Sequence, residues 1–272
     1  MPAPMITIAT LLLLLPFAWL LVGLAVYPLL ASGGRIAADE ELSRRGNSAV
    51  LGATIRNAFA WTAGPAERFF VRAGISANAL SVAGCVLCAV GGVAIGAGEL
   101  LFGGLLVLES SLFDYLDGRI ARAHGTSNPA GEFLDSTLDR YADAFCFGGA
   151  AFLLRANAWN LIAALVALAA TAIVPYARAK SASLGRDLKT GTMQRAERVV
   201  LLSGAAIFST PLDWLCPASM QDAHPTLAAM IWFLAISTAW TAIGRTRDGF
   251  GGLKGFQARP KPPVLDESDV SH

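Results

Sequence analysis

Asp114, Asp117, Gly118, Ala121 and Arg122 fall at offsets 0, 3, 4, 7 and 8, the spacing of one face of an α-helix. Gly131, Asp135, Asp139 and Asp143 follow in steps of four, again one face. A short polar turn between the two segments aims both faces at a shared space, so four or five carboxylates gather inside strongly apolar surroundings. An intramembrane acid costs about 2.5–3.5 kcal/mol on insertion scales, so four bare ones cost on the order of 10 kcal/mol. Arg122 and Arg140 neutralise two of those charges at most. One or two hard divalent cations, Mg2+ or Mn2+, bound through Asp114, Asp117, Asp135 and Asp139 would offset the rest, and such ions also grip phosphate oxygens and polarise a phosphoryl group. The competing reading is a salt-bridge network in a water-filled vestibule. Gly118 and Ala121 leave room either for a flat group such as a nucleobase or for a close helix neighbour, and Arg122 carries the planar donor fork that suits a diphosphate.

The elements that must hold these residues are membrane helices. In 272 residues, 54% are hydrophobic and only 15% charged, and the mean hydropathy is +0.53. Soluble domains carry about a quarter charged residues, so the composition predicts an all-α, polytopic integral membrane bundle. A net charge of +1 carries no sign of a nucleic-acid partner, and none is expected. Apolar segments are expected at Met5–Ala31, Ala79–Ala97, Leu100–Ala121, Phe133–Leu154, Leu161–Tyr176, Val199–Thr210 and Leu227–Ile243. The first lacks the basic n-region of a signal peptide and reads as a retained helix. Residues 1–32 therefore form an N-terminal transmembrane unit, residues 33–75 a cytoplasmic linker whose second half reads as an amphipathic interfacial helix, and residues 76–248 a six-helix core. Residues 249–272, rich in glycine, proline and charge, read as a disordered cytoplasmic tail.

Of the 21 lysines and arginines, all but Arg140 and Arg155 fall in alternate loops or the tail. By the positive-inside rule this puts the N-terminus outside, the C-terminus in the cytoplasm and the aspartates toward the cytoplasmic side of the inner membrane. Gly92 and Gly96 form a small-xxx-small pattern that allows close helix approach. Cys85 and Cys88 have CxxC spacing without a second pair or a histidine, which predicts helix packing rather than zinc or redox chemistry. His124 reads as a solvated turn residue. Glu109 lies upstream of the motif, facing either the cavity or a neighbouring helix.

The run Asp114-x2-Asp117-Gly118-x2-Ala121-Arg122-x8-Gly131-x3-Asp135-x3-Asp139 resembles, with no position missing, the signature of the CDP-alcohol phosphatidyltransferases. That resemblance implies a six-helix core, often homodimeric, that transfers a phosphatidyl or other substituted phosphoryl group from a CDP-linked lipid donor to an alcohol acceptor and releases CMP. It implies two ions of Mg2+ or Mn2+ on Asp114, Asp117, Asp135 and Asp139, with Asp139 also the general base. It further implies Gly118 and Ala121 against the nucleotide and Arg122 on its phosphates. Family members often read Pro-Asn-x-Leu-Thr before the second helix; here the stretch is Ala77-Asn78-Ala79-Leu80-Ser81, which keeps Asn78 and a hydroxyl, Ser81, on the donor side and loses the proline. The stretch from Tyr176 through Arg178, Lys180 and Gly191 to Arg195 and Arg198 resembles the acceptor region of bacterial phosphatidylinositol-phosphate synthases. This implies that Arg178, Lys180, Arg195 and Arg198 bind a phosphorylated polyol, inositol phosphate or glycerol phosphate. The rival readings are an intramembrane prenyltransferase, which would need a second aspartate-rich motif, and a divalent-cation transporter, which would need polar residues through the outer halves of the helices.

Overall fold

The computed structural model describes residues 8–32, 53–188 and 193–254. The expected tail beyond 254, the first half of the linker, Lys189 and Gly191 lie outside them. The described helices are α1 (Ile8–Ser32), α2 (Ala53–Arg72), α3 (Ala77–Gly96), α4 (Leu100–Ala123), α5 (Pro129–Leu153), α6 (Ala158–Ser183), α7 (Arg195–Asp213), the single turn α8 (Ala218–Gln221) and α9 (Pro225–Leu253), with a 3-10 turn at Leu154–Ala156. Each predicted apolar segment corresponds to a helix, overrunning it by one residue at Ala97 and at Leu154, with residues 5–7 outside the described ones, and the amphipathic stretch contains α2.

Neighbour packing closes six of these helices into a ring: α3 lies against α4, α4 against α7, α7 against α9, α9 against α6, α6 against α5, and α5 back against α3. All six contribute to one core, with Ile95, Val107, Phe147, Ala164, Leu202 and Ile231 almost fully enclosed. α1 and α2 stand outside the ring, packed on each other and on α4. The indole N–H of Trp19 in α1 donates to the Thr62 carbonyl in α2 at 3.1 Å. Arg119 Nε of α4 reaches Glu67 Oε2 of α2 at 2.6 Å, and the rings of Phe59 and Tyr115 meet edge to face at 4.9 Å.

Lipid tails are as apolar as leucine, so close backbone approach rather than the hydrophobic effect must hold membrane helices together. α3 achieves this on two sides. A Cβ on Gly92 would collide with the backbone of Phe145 in α5, and one on Gly91 would lie 2.9 Å from the Gly103 carbonyl oxygen of α4. Gly92 and Gly96 therefore use their small-residue pattern against α5, where Gly149 meets both. The cysteines pack the same seam: Cys88 Sγ lies 2.9 Å from Cys146 Sγ of α5, and Cys85 Sγ approaches the Leu138 carbonyl.

Four helices, α1, α3, α6 and α9, are long and apolar enough to cross a membrane by length and composition. α4, α5 and α7 have the length, and they are the three that carry the acids and arginines described below. Their reduced hydropathy belongs to the site.

Candidate active site

α4 ends at Ala123, the chain turns through His124–Asn128, and α5 begins at Pro129. Proline suits a first helical turn, where no intrahelical N–H bond is lost, and the Asn128 side chain accepts from Gly131 N–H at 2.8 Å. This tight link brings the two aspartate faces together. One carboxylate oxygen from each of Asp114, Asp135 and Asp139 lies within 4.8 Å of the others. Asp117 is buried one turn along α4, and its Oδ2 accepts from Ser81 Oγ of α3 at 2.6 Å.

Ser81 thus touches the acid cluster directly. The missing proline before it is offset by Ser76, whose hydroxyl caps α3 through Ala79 N–H at 3.2 Å. Asn78 is exposed at the start of α3, with its side-chain oxygen facing Gly131 of α5. On α4, Gly118 has only the Arg122 guanidinium near the place a Cβ would take, Ala121 is half-buried, and Arg122 is exposed. A small open cleft lies between these helices, lined by Ser81, Cys85, Ser110, the three clustered aspartates and Arg195.

The four basic residues expected at the acceptor are placed differently from one another. Arg178 and Lys180 are exposed near the end of α6, Arg178 with its Nε 4.0 Å from Asp187 Oδ1. Arg198 is buried and donates to the Met193 carbonyl at 3.1 Å. Arg195 stands inside the aspartate cluster, with Nη1 3.0 Å from Asp114 Oδ2 and 2.8 Å from Asp139 Oδ1. Its helix is fixed at this end by a capping box, in which the Glu197 carboxylate accepts from Gln194 N–H at 2.8 Å.

Asp143 also joins the group. It is buried beneath Asp139, with Oδ1 3.4 Å from Arg195 Nε and Oδ2 3.7 Å from Arg140 Nη2. The counter-charges are therefore Arg195 and Arg140, where the helical spacing alone points to Arg122 and Arg140. A signal for Arg195 does exist in the sequence: a buried acid excess needs cations, and Arg195-x2-Arg198 opens an otherwise apolar helix. Glu109 is a different case, because its Oε1 is buried without a hydrogen-bond partner among the described residues.

Five carboxylates, Asp114, Asp117, Asp135, Asp139 and Asp143, share this region with three guanidinium groups, Arg140, Arg195 and Arg198. When all are ionised the excess is two negative charges. The donor set is all hard oxygen, the type that Mg2+ and Mn2+ prefer, and the excess matches a divalent cation. The residues present therefore fit the metal that the spacing predicts.

Acids on two facing membrane helices around a cleft, with arginines brought in from a third, define a polytopic membrane phosphotransferase. A family model described as CDP-alcohol phosphatidyltransferase matches residues 74–243, and the chain belongs to that family and to its enzyme class. The phosphatidylinositol phosphate synthase of Mycobacterium marinum is 29% identical over 234 residues, covering 80% of this chain and 92% of that protein. The archaetidylinositol phosphate synthase of Methanothermobacter thermautotrophicus is 30% identical over 165 residues, covering 61% and 82%. Among solved structures, the Mycobacterium tuberculosis phosphatidylinositol phosphate synthase with CDP-DAG bound superimposes with a TM-score of 0.60 at 25% identity, covering 75% of this chain and 96% of that one. The same enzyme in complex with manganese and citrate gives 0.61 at 25% identity, covering 75% and 92%.

Proposed function

We propose that this enzyme transfers a phosphatidyl group from CDP-diacylglycerol to inositol phosphate and releases CMP, using Mg2+ or Mn2+. The observation that carries the reading is the convergence of Asp114, Asp135 and Asp139 with Arg195 in one cleft of a chain that belongs to this family. The named relatives support the acceptor: their names share inositol phosphate and differ in the lipid.

In this reading Asp114, Asp117, Asp135 and Asp139 hold two divalent ions, whose chemistry is to neutralise the donor diphosphate and polarise the phosphoryl group under attack. Two such ions would turn the excess of two negative charges into an excess of two positive ones, which the two negative charges of a diphosphate diester balance. Gly118 and Ala121 let the cytidine approach the α4 backbone, Arg122 contacts the phosphates, and Asn78 and Ser81 border the donor from α3. The acceptor hydroxyl attacks the phosphorus that carries diacylglycerol. A new P–O bond forms, the bond to CMP breaks, the hydroxyl proton passes to Asp139, and CMP leaves with the electron pair. Arg195 and Arg198, with Arg178 and Lys180 at the mouth, meet the acceptor's phosphate.

The same reading places residues 76–248 as the catalytic unit in the inner membrane, among its lipids and as a homodimer. The N-terminus is outside, and the site and C-terminus are cytoplasmic, as the distribution of basic residues supports. The direct test is to incubate purified protein in detergent with Mn2+, CDP-diacylglycerol and, separately, inositol phosphate, glycerol phosphate or inositol. CMP release with inositol phosphate well above the other two is expected. Release with glycerol phosphate instead would reassign the acceptor, and release with none of them would sink the proposal.

A further inference from the structure

The aspartate cluster already contains a cation that belongs to the chain. Arg195 Nη1 sits between Asp114 Oδ2 and Asp139 Oδ1, at 3.0 and 2.8 Å. These are two of the three acids whose oxygens converge within 4.8 Å. A divalent ion would compete with the guanidinium for the negative charge of these two carboxylates, and for whichever of their oxygens both approach. The general base is held as well: while Asp139 is engaged by Arg195, part of its accepting capacity is used.

The same guanidinium has a second seat beside it. Its Nε is 3.4 Å from Asp143 Oδ1 without hydrogen-bond geometry, and it has no partner among the described residues. Asp143 Oδ2 likewise makes no hydrogen bond there, although Arg140 Nη2 lies 3.7 Å away, and the side chain is only 5% exposed. Leaving a buried polar atom unsatisfied costs about 1–3 kcal/mol, more when it is charged. A small movement of Arg195 toward Asp143 would bring Nε into hydrogen-bond geometry with Oδ1 and clear Asp114 Oδ2 and Asp139 Oδ1 together, while Asp139 Oδ2 keeps its 3.4 Å contact with Arg140 Nη2.

We propose that Arg195 is the resident counter-ion of the aspartate cluster and is displaced onto Asp143 when the cluster takes a divalent cation, which frees Asp139 and turns the arginine toward the acceptor. The proposal rests on the reading of the cluster as a metal site given above. One cation replaces another at Asp114 and Asp139, so the cluster is never left bare in the membrane. Asp143 touches no substrate and is a positioning residue for Arg195. Metal binding then precedes formation of the acceptor site.

Mn2+ titration calorimetry on the full chain in detergent, with thermal unfolding in EDTA, tests this. Arg195→Gln lowers the metal-free Tm yet binds Mn2+ about tenfold more tightly, the factor for roughly 1.4 kcal/mol of competition removed. Arg195→Lys shifts both in the same direction by less, and it supplies the reading if the glutamine variant does not fold. Asp143→Asn weakens Mn2+ binding in the wild-type background by removing the second seat, and has no such effect when combined with Arg195→Gln. Unchanged or weaker Mn2+ binding in both Arg195 variants, or an Asp143→Asn effect that persists without Arg195, overturns the proposal. Failure of the wild type to bind Mn2+ overturns the metal reading beneath it.

Discussion

At the scale of single residues, the site is a set of carboxylates whose positions are fixed by two helices and whose charges are partly offset by Arg140 of α5 and by arginines of a third helix. The eight signature positions were legible from spacing because helical geometry converts i, i+3 and i+4 into a face without knowledge of the fold. Spacing put Asp143 on the same face without giving it a role, and it did not bring Arg195 to the acids. Arg195 comes from a helix that begins 56 positions after Asp139, and which side of that helix meets the acids depends on packing that spacing does not encode. Ser81 was legible only as a hydroxyl retained near the motif, and its bond to Asp117 required the α3–α4 contact. A prediction follows for the base. Asp139→Asn keeps the size of the side chain and one acceptor oxygen but removes the proton sink, so CMP release should fall at least about 100-fold. Binding of the CDP-linked donor, measured by calorimetry in detergent, should be largely retained, and wild-type turnover would remove Asp139 from the base role.

At the scale of elements, α3 is the piece on which the cleft depends, since it packs on both helices that supply the aspartates. Its glycines were legible as a close-packing stripe, but the sequence did not say which neighbour each one meets, because any small face can accept any helix. The structure sets Gly92 and Gly96 of that pattern against α5 and adds Gly91, which the pattern did not mark, against α4. Gly92→Ala should therefore push α3 away from the Phe145 backbone and cost about 1–3 kcal/mol, as overpacked cores do. A lowered Tm and lower CMP release are expected, whereas Val93→Ala, on the exposed side of the same turn, should leave both near wild type. Equal tolerance at the two positions would mean that the α3–α5 seam does not set the site.

At the scale of the whole molecule, the apolar runs located α1 and the six ring helices, including the three whose charges lower their hydropathy below that of the four candidate spans, because the apolar residues around each charge still fill a helix length. Ring closure was not legible, since α4 and α7 pack together although they lie far apart in sequence, and no motif marks the pair. α1 and α2 lie outside the ring, against α4 alone among its members in the principal contacts. Removal of residues 1–32 should accordingly leave a protein that folds in detergent and still releases CMP, with a modest loss of Tm. Loss of folding on that deletion would instead make α1 part of the folding unit.

The enclosed core of the ring bears on where the product lipid goes. Ile95, Leu100, Leu154 and Leu227, near the helix ends remote from the aspartates, are buried in the packing of all six helices. A polar headgroup has no passage through that layer, because each charge carried into it would stay unsolvated. In the proposed reading, donor, acceptor, CMP and product exchange at the aspartate end, and the lipid made in the cleft is left in the leaflet that supplied its precursor.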